Sequence, residues 1–193
     1  MIEKNILDHN EKIILIYGIK NKRYKSLIEQ ANKYNYRVIE VLDNQLNCEI
    51  ENLLSNNISN CIDEKLEKID IEFLLFVNII KDELYKFIDE LKRKKLYFAN
   101  KAILTQTNLK WKLRTLLVEN KKEHLVMTLF TNLRRSMKKA EILRENGIFD
   151  DELLEIMVQA KKFMNPQEFD FSEIKEIHNK LSIKVNSLEG KHE

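Results

Sequence analysis

Glycine and proline are scarce: three glycines, at 18, 147 and 190, and one proline, at 166, in 193 residues. That excludes collagen-like and Gly/Pro-rich disordered chains. It also excludes phosphate and dinucleotide loops, which need several close-set glycines so that the backbone can approach the anion. Only two cysteines occur, Cys48 and Cys61. Neither has a Cys or His at zinc-ligand spacing, so no metal or cofactor is expected. No apolar run approaches the about 18 residues of a membrane helix. The first residues, Met1-Ile2-Glu3-Lys4-Asn5, lack the apolar core of a secretory signal. A cytoplasmic location is therefore expected, with both cysteines as reduced, free thiols.

Charge is nearly balanced overall but unevenly placed. From Asn108 to Arg144 there are ten basic and three acidic residues; from Glu145 to Glu193 there are six basic and eleven acidic. A basic helical segment followed by an acidic one can attract within a chain or across a dimer.

Four short runs read as strands: Ile13 to Tyr17, Arg37 to Leu42, Phe73 to Val77 and Ala102 to Thr105. The first and third are apolar at every position, the mark of interior strands covered on both faces. Helical spacing links Tyr24, Leu27, Ile28, Ala31 and Tyr34, and again Leu84, Phe87, Ile88 and Leu91. Ile50, Leu53 and Leu54 suggest a short helix before an Asn/Ser-rich loop. Thr107 is a candidate cap for a helix carrying Leu109, Leu113, Leu116 and Leu117. Beyond residue 120 no strand pattern remains. Val126, Leu129, Leu133, Met137, Ala140 and Leu143 form one stripe, ending at Gly147. A second helix, capped by Asp150 or Asp151, carries Leu153, Leu154, Met157, Val158 and Ala160 and stops at Asn165-Pro166. A third, opened by Asp170 with Glu173, carries Ile174, Ile177, Leu181, Val185 and Leu188. No solenoid-type repeat is visible.

The expected fold is α/β: a four-stranded, mostly parallel sheet flanked by helices over residues 10–120, then a three-helix C-terminal extension over 121–193. A ferredoxin-like α+β sheet is the alternative. If all strands run parallel, their C-terminal ends gather Gly18, Asp43, Asn44, Asn78, Thr105, Gln106, Thr107 and Asn108. That rim offers amides and hydroxyls but hardly any acid or base. The more frequent role of such residues is turn and cap formation. Trp111, the only tryptophan, lies among Lys110, Lys112 and Arg114. It can stack on a base or pack on the sheet, and packing is commoner. Arg134, Arg135, Lys138 and Lys139 form a basic patch facing away from the apolar stripe. The acidic helix that follows it argues against a DNA-reading role.

The run Lys101-Ala102-Ile103-Leu104-Thr105-Gln106-Thr107-Asn108-Leu109-Lys110-Trp111, with Phe76 before it and Glu123-His124 after it, resembles an uncharacterised bacterial domain of unknown function. The resemblance covers residues 73–124 and is most specific from Thr105 to Trp111. It implies a short β-α-β-α domain with no assigned activity. It also implies that any family site uses Thr105, Thr107, Asn108, Trp111, Glu123 and His124. Members often have Gly after the strand matching Phe73 to Val77, where this chain has Asn78.

No catalytic triad can be assembled from local signals. The expected function is a non-enzymatic cytoplasmic module that binds a protein partner, or a second copy of itself, through the C-terminal helices, with no membrane association. The alternatives are a polar small-ligand site at Thr105 to Trp111, and weak nucleic-acid binding through residues 134–144.

Overall fold

The computed structural model describes residues 11–163 and 171–190. Its contacts divide the chain into two compact units, Met1–Lys122 and Glu123–Glu193.

The first unit contains β1 (Ile13–Tyr17), α1 (Asn21–Lys33), β2 (Arg37–Val41), α2 (Ile50–Leu54), β3 (Phe73–Val77), α3 (Lys81–Arg93), β4 (Asn100–Ile103) and the start of α4 (Leu113–Glu145). The sheet order is β2-β1-β3-β4. β1 pairs parallel with β2 and β3 with β4, while the central β1·β3 contact is antiparallel. The sheet is thus mixed, with two of its three contacts parallel. The ferredoxin-like alternative does not hold, because there a further strand splits each βαβ unit. Here β1 and β2 are hydrogen-bonded directly, as are β3 and β4.

Both central strands are buried at every position, as their unbroken apolar sequence requires. Successive side chains point to opposite faces. Ile13, Leu15 and Tyr17, with Phe73, Leu75 and Val77, build one core under α2 and the start of α4. Ile14 and Ile16, with Leu74 and Phe76, build the other with Leu27 and Ala31 of α1 and Phe87 and Leu91 of α3.

The second half of this unit repeats the first. β1 and β3 are each five residues long, α1 and α3 each thirteen, and both pairs are displaced by sixty positions. Gly18 and Asn78, sixty positions apart, both follow a strand in the left-handed region, with φ of 72° and 56°. Asn35 and Lys95 likewise share φ of 57° and 59°. Asn is among the few residues that tolerate this region, which is how Asn78 stands where the resemblance has Gly. Three extra residues before β4 make the later displacement sixty-three. On that register Leu46, Ile50, Leu53 and Leu54 match Leu109, Leu113, Leu116 and Leu117, and all but Leu109 are buried.

The hydrogen bonds repeat as well. The N–H groups of Ile50 and Glu51, opening α2, donate to the carbonyls of Trp111 and Leu109 at 3.0 and 3.1 Å. Those of Leu113 and Arg114, opening α4, donate to the carbonyls of Cys48 and Leu46 at 3.0 and 2.8 Å. Each helix start, whose first N–H groups have no partner within the helix, is therefore satisfied by the loop of the other half. The isolated Glu49↔Lys112 bridge lies between them.

Three expectations are corrected. The polar strand-end rim does not form, because the antiparallel β1·β3 contact sends β1 and β2 one way and β3 and β4 the other. Gly18, Asp43 and Asn44 follow strands that end at one edge; Asn78, Thr105, Thr107 and Asn108 follow strands that end at the opposite one. Cys48 and Cys61 are joined in a disulfide, with Cα atoms 5.0 Å apart, instead of being free thiols. The Asn-rich loop after α2 folds back and carries Cys61 over the buried Cys48. Finally, Thr107 caps no helix: residues 105–111 form a turn, and α4 runs unbroken from Leu113 to Glu145.

The second unit contains the remainder of α4, with α5 (Asp151–Lys161) and α6 (Phe171–Glu189). Their stripes pack on one another: Leu133, Met137 and Ala140 against Leu153, Met157 and Ala160, and against Ile174, Leu181 and Val185. Gly147, at φ 84°, ends α4, with the Ile148 N–H donating to the Leu143 carbonyl. Asp150 caps α5, its Oδ1 accepting from the Leu153 N–H at 2.8 Å. The expected Asp170 cap and Asn165-Pro166 stop lie outside the described residues.

Candidate functional site

The residues singled out at Thr105 to Trp111 are brought together, and most of their polar capacity is turned inward. Asn108 Oδ1 accepts from the Thr105 N–H at 2.8 Å, and Thr105 Oγ1 accepts from the Asn108 N–H at 3.2 Å. Asn108 Nδ2 donates to the Ile103 carbonyl at 3.1 Å, and Asn108 is only 8% exposed. A buried carboxamide bonded on both its oxygen and its nitrogen closes a turn and has little left for a ligand. The first half shows the counterpart: Gln45 Oε1 accepts from the Leu42 N–H at 2.9 Å, sixty-three positions earlier. Thr107 is exposed and makes no side-chain hydrogen bond among the described residues. Trp111 is half-buried and packs against the first core beside Leu104 and Leu109. Its ring is the commoner packing anchor, and its carbonyl serves the start of α2.

Lys101, which opens the resembling run, is half-buried and donates to the Phe98 carbonyl. Burial, and then the charge of Lys92, hold its pKa below the ordinary lysine value. Tyr17 sits beneath the loop of the first half. Its hydroxyl donates to Asp43 Oδ1 at 2.7 Å and accepts from the Ile69 N–H at 3.0 Å. Burial, followed by the bond to Asp43, pushes this hydroxyl up to about 12.

Glu123 and His124 are exposed on α4 in the second unit. Neither makes a hydrogen bond or ion pair among the described residues. His9 and His192 lie outside those residues. The fourth histidine enters a grouping that no sequence spacing signals. Ser136 Oγ of α4 and Ser182 Oγ of α6 are 3.1 Å apart, and Ser182 Oγ is 3.2 Å from His178 Nε2. Only His178 and Ser182, one helical turn apart, carry a local pattern. Among the described residues no carboxylate is bonded to the ring, and the trio works as a polar staple between α4 and α6.

The basic patch separates into two kinds of residue. Lys139 pairs with Glu189 at 2.9 Å. Arg134, Arg135 and Lys138 are exposed and unpaired among the described residues. They share the outward side of α4 with Met127 and Ile142, 56% and 45% exposed. On α5 the outward side presents Asp151, Leu154, Glu155 and Val158 at i, i+3, i+4 and i+7 spacing, all exposed. Leu154 and Val158 are 43% and 55% exposed, and Asp151 and Glu155 have no ion-pair partner among the described residues. The other acids near the start of α5 are engaged: Lys184 binds Asp150 at 2.8 Å and Glu152 at 2.5 Å. Among the described residues, no group of three or more His, Cys, Asp or Glu is placed to hold a metal ion, and no helix is long and apolar enough to cross a membrane.

No curated protein and no solved structure matches the chain. A family model described as Domain of unknown function (DUF3783) matches residues 72–127, which take in the second half of the first unit and the start of α4.

Proposed function

We propose that the chain is a protein-interaction module that pairs with a second copy of itself through its helical unit. The observation that carries this is the match between two outward faces of that unit. α4 offers Arg134, Arg135 and Lys138 beside Met127 and Ile142, and α5 offers Asp151 and Glu155 beside Leu154 and Val158. Each face combines exposed apolar side chains with a cluster of charge, basic at Arg134, Arg135 and Lys138 and acidic at Asp151 and Glu155, so the clusters are opposite in sign even though Glu141 and Glu145 flank the first and Lys162 the second. α4 of one copy against α5 of the other, made twice, is an isologous contact that closes as a dimer. Opposite potentials set the register and speed the encounter, while the apolar side chains supply the burial. The internal stripes are already spent on the three-helix core, so they take no part.

Sedimentation equilibrium of the full chain tests this. A dimer is expected at low salt, weakening as salt screens the charges. Reversing the α4 face (Arg134→Glu, Arg135→Glu, Lys138→Glu) should give a monomer. Adding Asp151→Lys and Glu155→Lys to that variant should restore the dimer. A parent chain that stays monomeric at low salt, or a reversal of both faces that fails to rescue, would reject the proposal. The same α4 face could instead track a phosphate backbone. That reading predicts that duplex DNA, and not a second copy, is retained at low salt.

A further inference from the structure

An open groove of about 550 Å³ lies in the first unit beside the disulfide. That volume is within the range of small-molecule sites. Its walls come from both halves of the repeat: Asn47, Glu49 and Asn52 from the first, Lys112 from the second. The loop carrying Asn57, Asn60 and Asp63 closes one side, and the disulfide ties this loop to Cys48.

Several charges of the unit are paired: Lys12 with Glu83 at 2.6 Å, Arg23 with Glu72 at 2.8 Å, and Lys110 with Glu51, which lies beside the groove. Glu49 and Lys112 are bridge partners on adjacent antiparallel segments. Side chains so placed have Cβ atoms about 4.5–5.5 Å apart. Yet neither takes part in a hydrogen bond or an ion pair among the described residues. The carboxamides of Asn47, Asn52, Asn57 and Asn60 are also unbonded there. Polar groups left unspent around one concavity match a ligand that brings their partners with it.

We infer that this groove binds a free polar α-amino acid. Such a molecule carries an ammonium beside a carboxylate, and Glu49 and Lys112, side by side on the groove wall, offer one group of each complementary sign. Glu49, supported by Asp63, takes the ammonium, and Lys112 takes the carboxylate. The surrounding carboxamides, each both donor and acceptor, bond the ligand's polar side chain. With Cys61 and Ile62 as its apolar lining the groove is too polar to favour a hydrophobic ligand.

Isothermal titration of the full, disulfide-intact chain with glutamine, asparagine, serine and glutamate tests the inference. Saturable binding of at least one is expected. Glu49→Gln and Lys112→Gln should each weaken it at least tenfold, which is about 1.4 kcal/mol. The N-acetyl and the methyl ester derivatives of the same amino acid should each fail to bind. Circular dichroism checks that both variants fold. The inference is overturned if none of the four saturates at millimolar concentration. It is equally overturned if the blocked derivatives bind as well as the parent compound, or if both variants bind unchanged. The helical unit is untouched by these variants, so this outcome and that of the dimer test are independent.

Discussion

Leu15 pairs with Leu75 across the centre of the sheet, and a displacement of sixty positions carries one onto the other. The register is symmetric about this pair: Ile13 faces Val77 and Tyr17 faces Phe73. An approximate two-fold axis therefore passes between two side chains that are both fully buried. Truncating either removes the same kind of contact from the same core. Leu15→Ala and Leu75→Ala are each expected to cost about 2–5 kcal/mol. Urea unfolding should place the two within about 1 kcal/mol of one another. A much larger difference would mean that the two halves do not share their core equally.

Gly18 cannot carry a side chain. A Cβ there would lie 2.1 Å from the Ile71 carbonyl oxygen, and the φ of 72° is unfavourable for other residues. Gly18→Ala should lower stability by more than about 1 kcal/mol. At the equivalent turn Asn78 Nδ2 donates to the Glu11 carbonyl at 3.1 Å. Asn78→Gly loses that bond but keeps the backbone conformation, so its melting temperature should stay closer to the parent's than that of Gly18→Ala.

Tyr17 makes the first unit sensitive to alkali. The sign follows from the raised value. The folded chain holds this proton more tightly than the unfolded one, whose tyrosine titrates near 10. The stability it contributes is complete below pH 10 and is lost as pH rises through about 12. Tyr17→Phe leaves the Ile69 N–H without its acceptor, at a cost of about 1–3 kcal/mol near neutral pH. The variant should then lose less than the parent when denaturation is repeated at high pH.

Asn108 and Thr107 separate a structural motif from a binding one. Asn108→Ala removes the acceptor of the Thr105 N–H and should destabilise by about 1–3 kcal/mol. Thr107→Ala changes an exposed side chain with no hydrogen bond among the described residues and should fall within about 0.5 kcal/mol of the parent. If both are neutral in thermal unfolding, the turn is not held by Asn108.

The Cys48–Cys61 bond closes a loop with a sequence separation of 13. Replacing both cysteines by alanine should cost about 3 kcal/mol. The loss should appear in probes of the first unit, such as the fluorescence of Trp111. A variant as stable as the oxidised parent would show that the loop is held by its apolar contacts alone.

Much of the architecture was legible because it rests on local apolar patterns. The runs at Ile13 and Phe73 read as doubly covered strands, and the stripes from Leu133 to Leu143, Leu153 to Met157 and Ile174 to Leu188 read as helices; all are observed. Strand direction was not legible, because an all-apolar strand looks the same in parallel and antiparallel neighbours. That one reversal dispersed the expected polar rim. The repeat was hidden because equivalent positions keep their geometry with different residues: Gly18 and Asn78, Cys48 and Trp111, Gln45 and Asn108. The disulfide was missed because cysteine spacing says nothing about where an irregular loop returns. Thr105 and Asn108 were found as a cluster, but only the hydrogen bonds assign them to the turn.

The exchange of carbonyls between the starts of α2 and α4 bears on how small a piece of this chain can stand alone. Cut out by itself, the stretch from residue 72 to 127 would lose the acceptors for Leu113 and Arg114 and bare the side of β3 that β1 covers. It would be an open-edged fragment with a frayed helix. Cooperative folding therefore belongs to the doubled unit, and a severed half can complete itself only by borrowing a strand and a loop from another molecule.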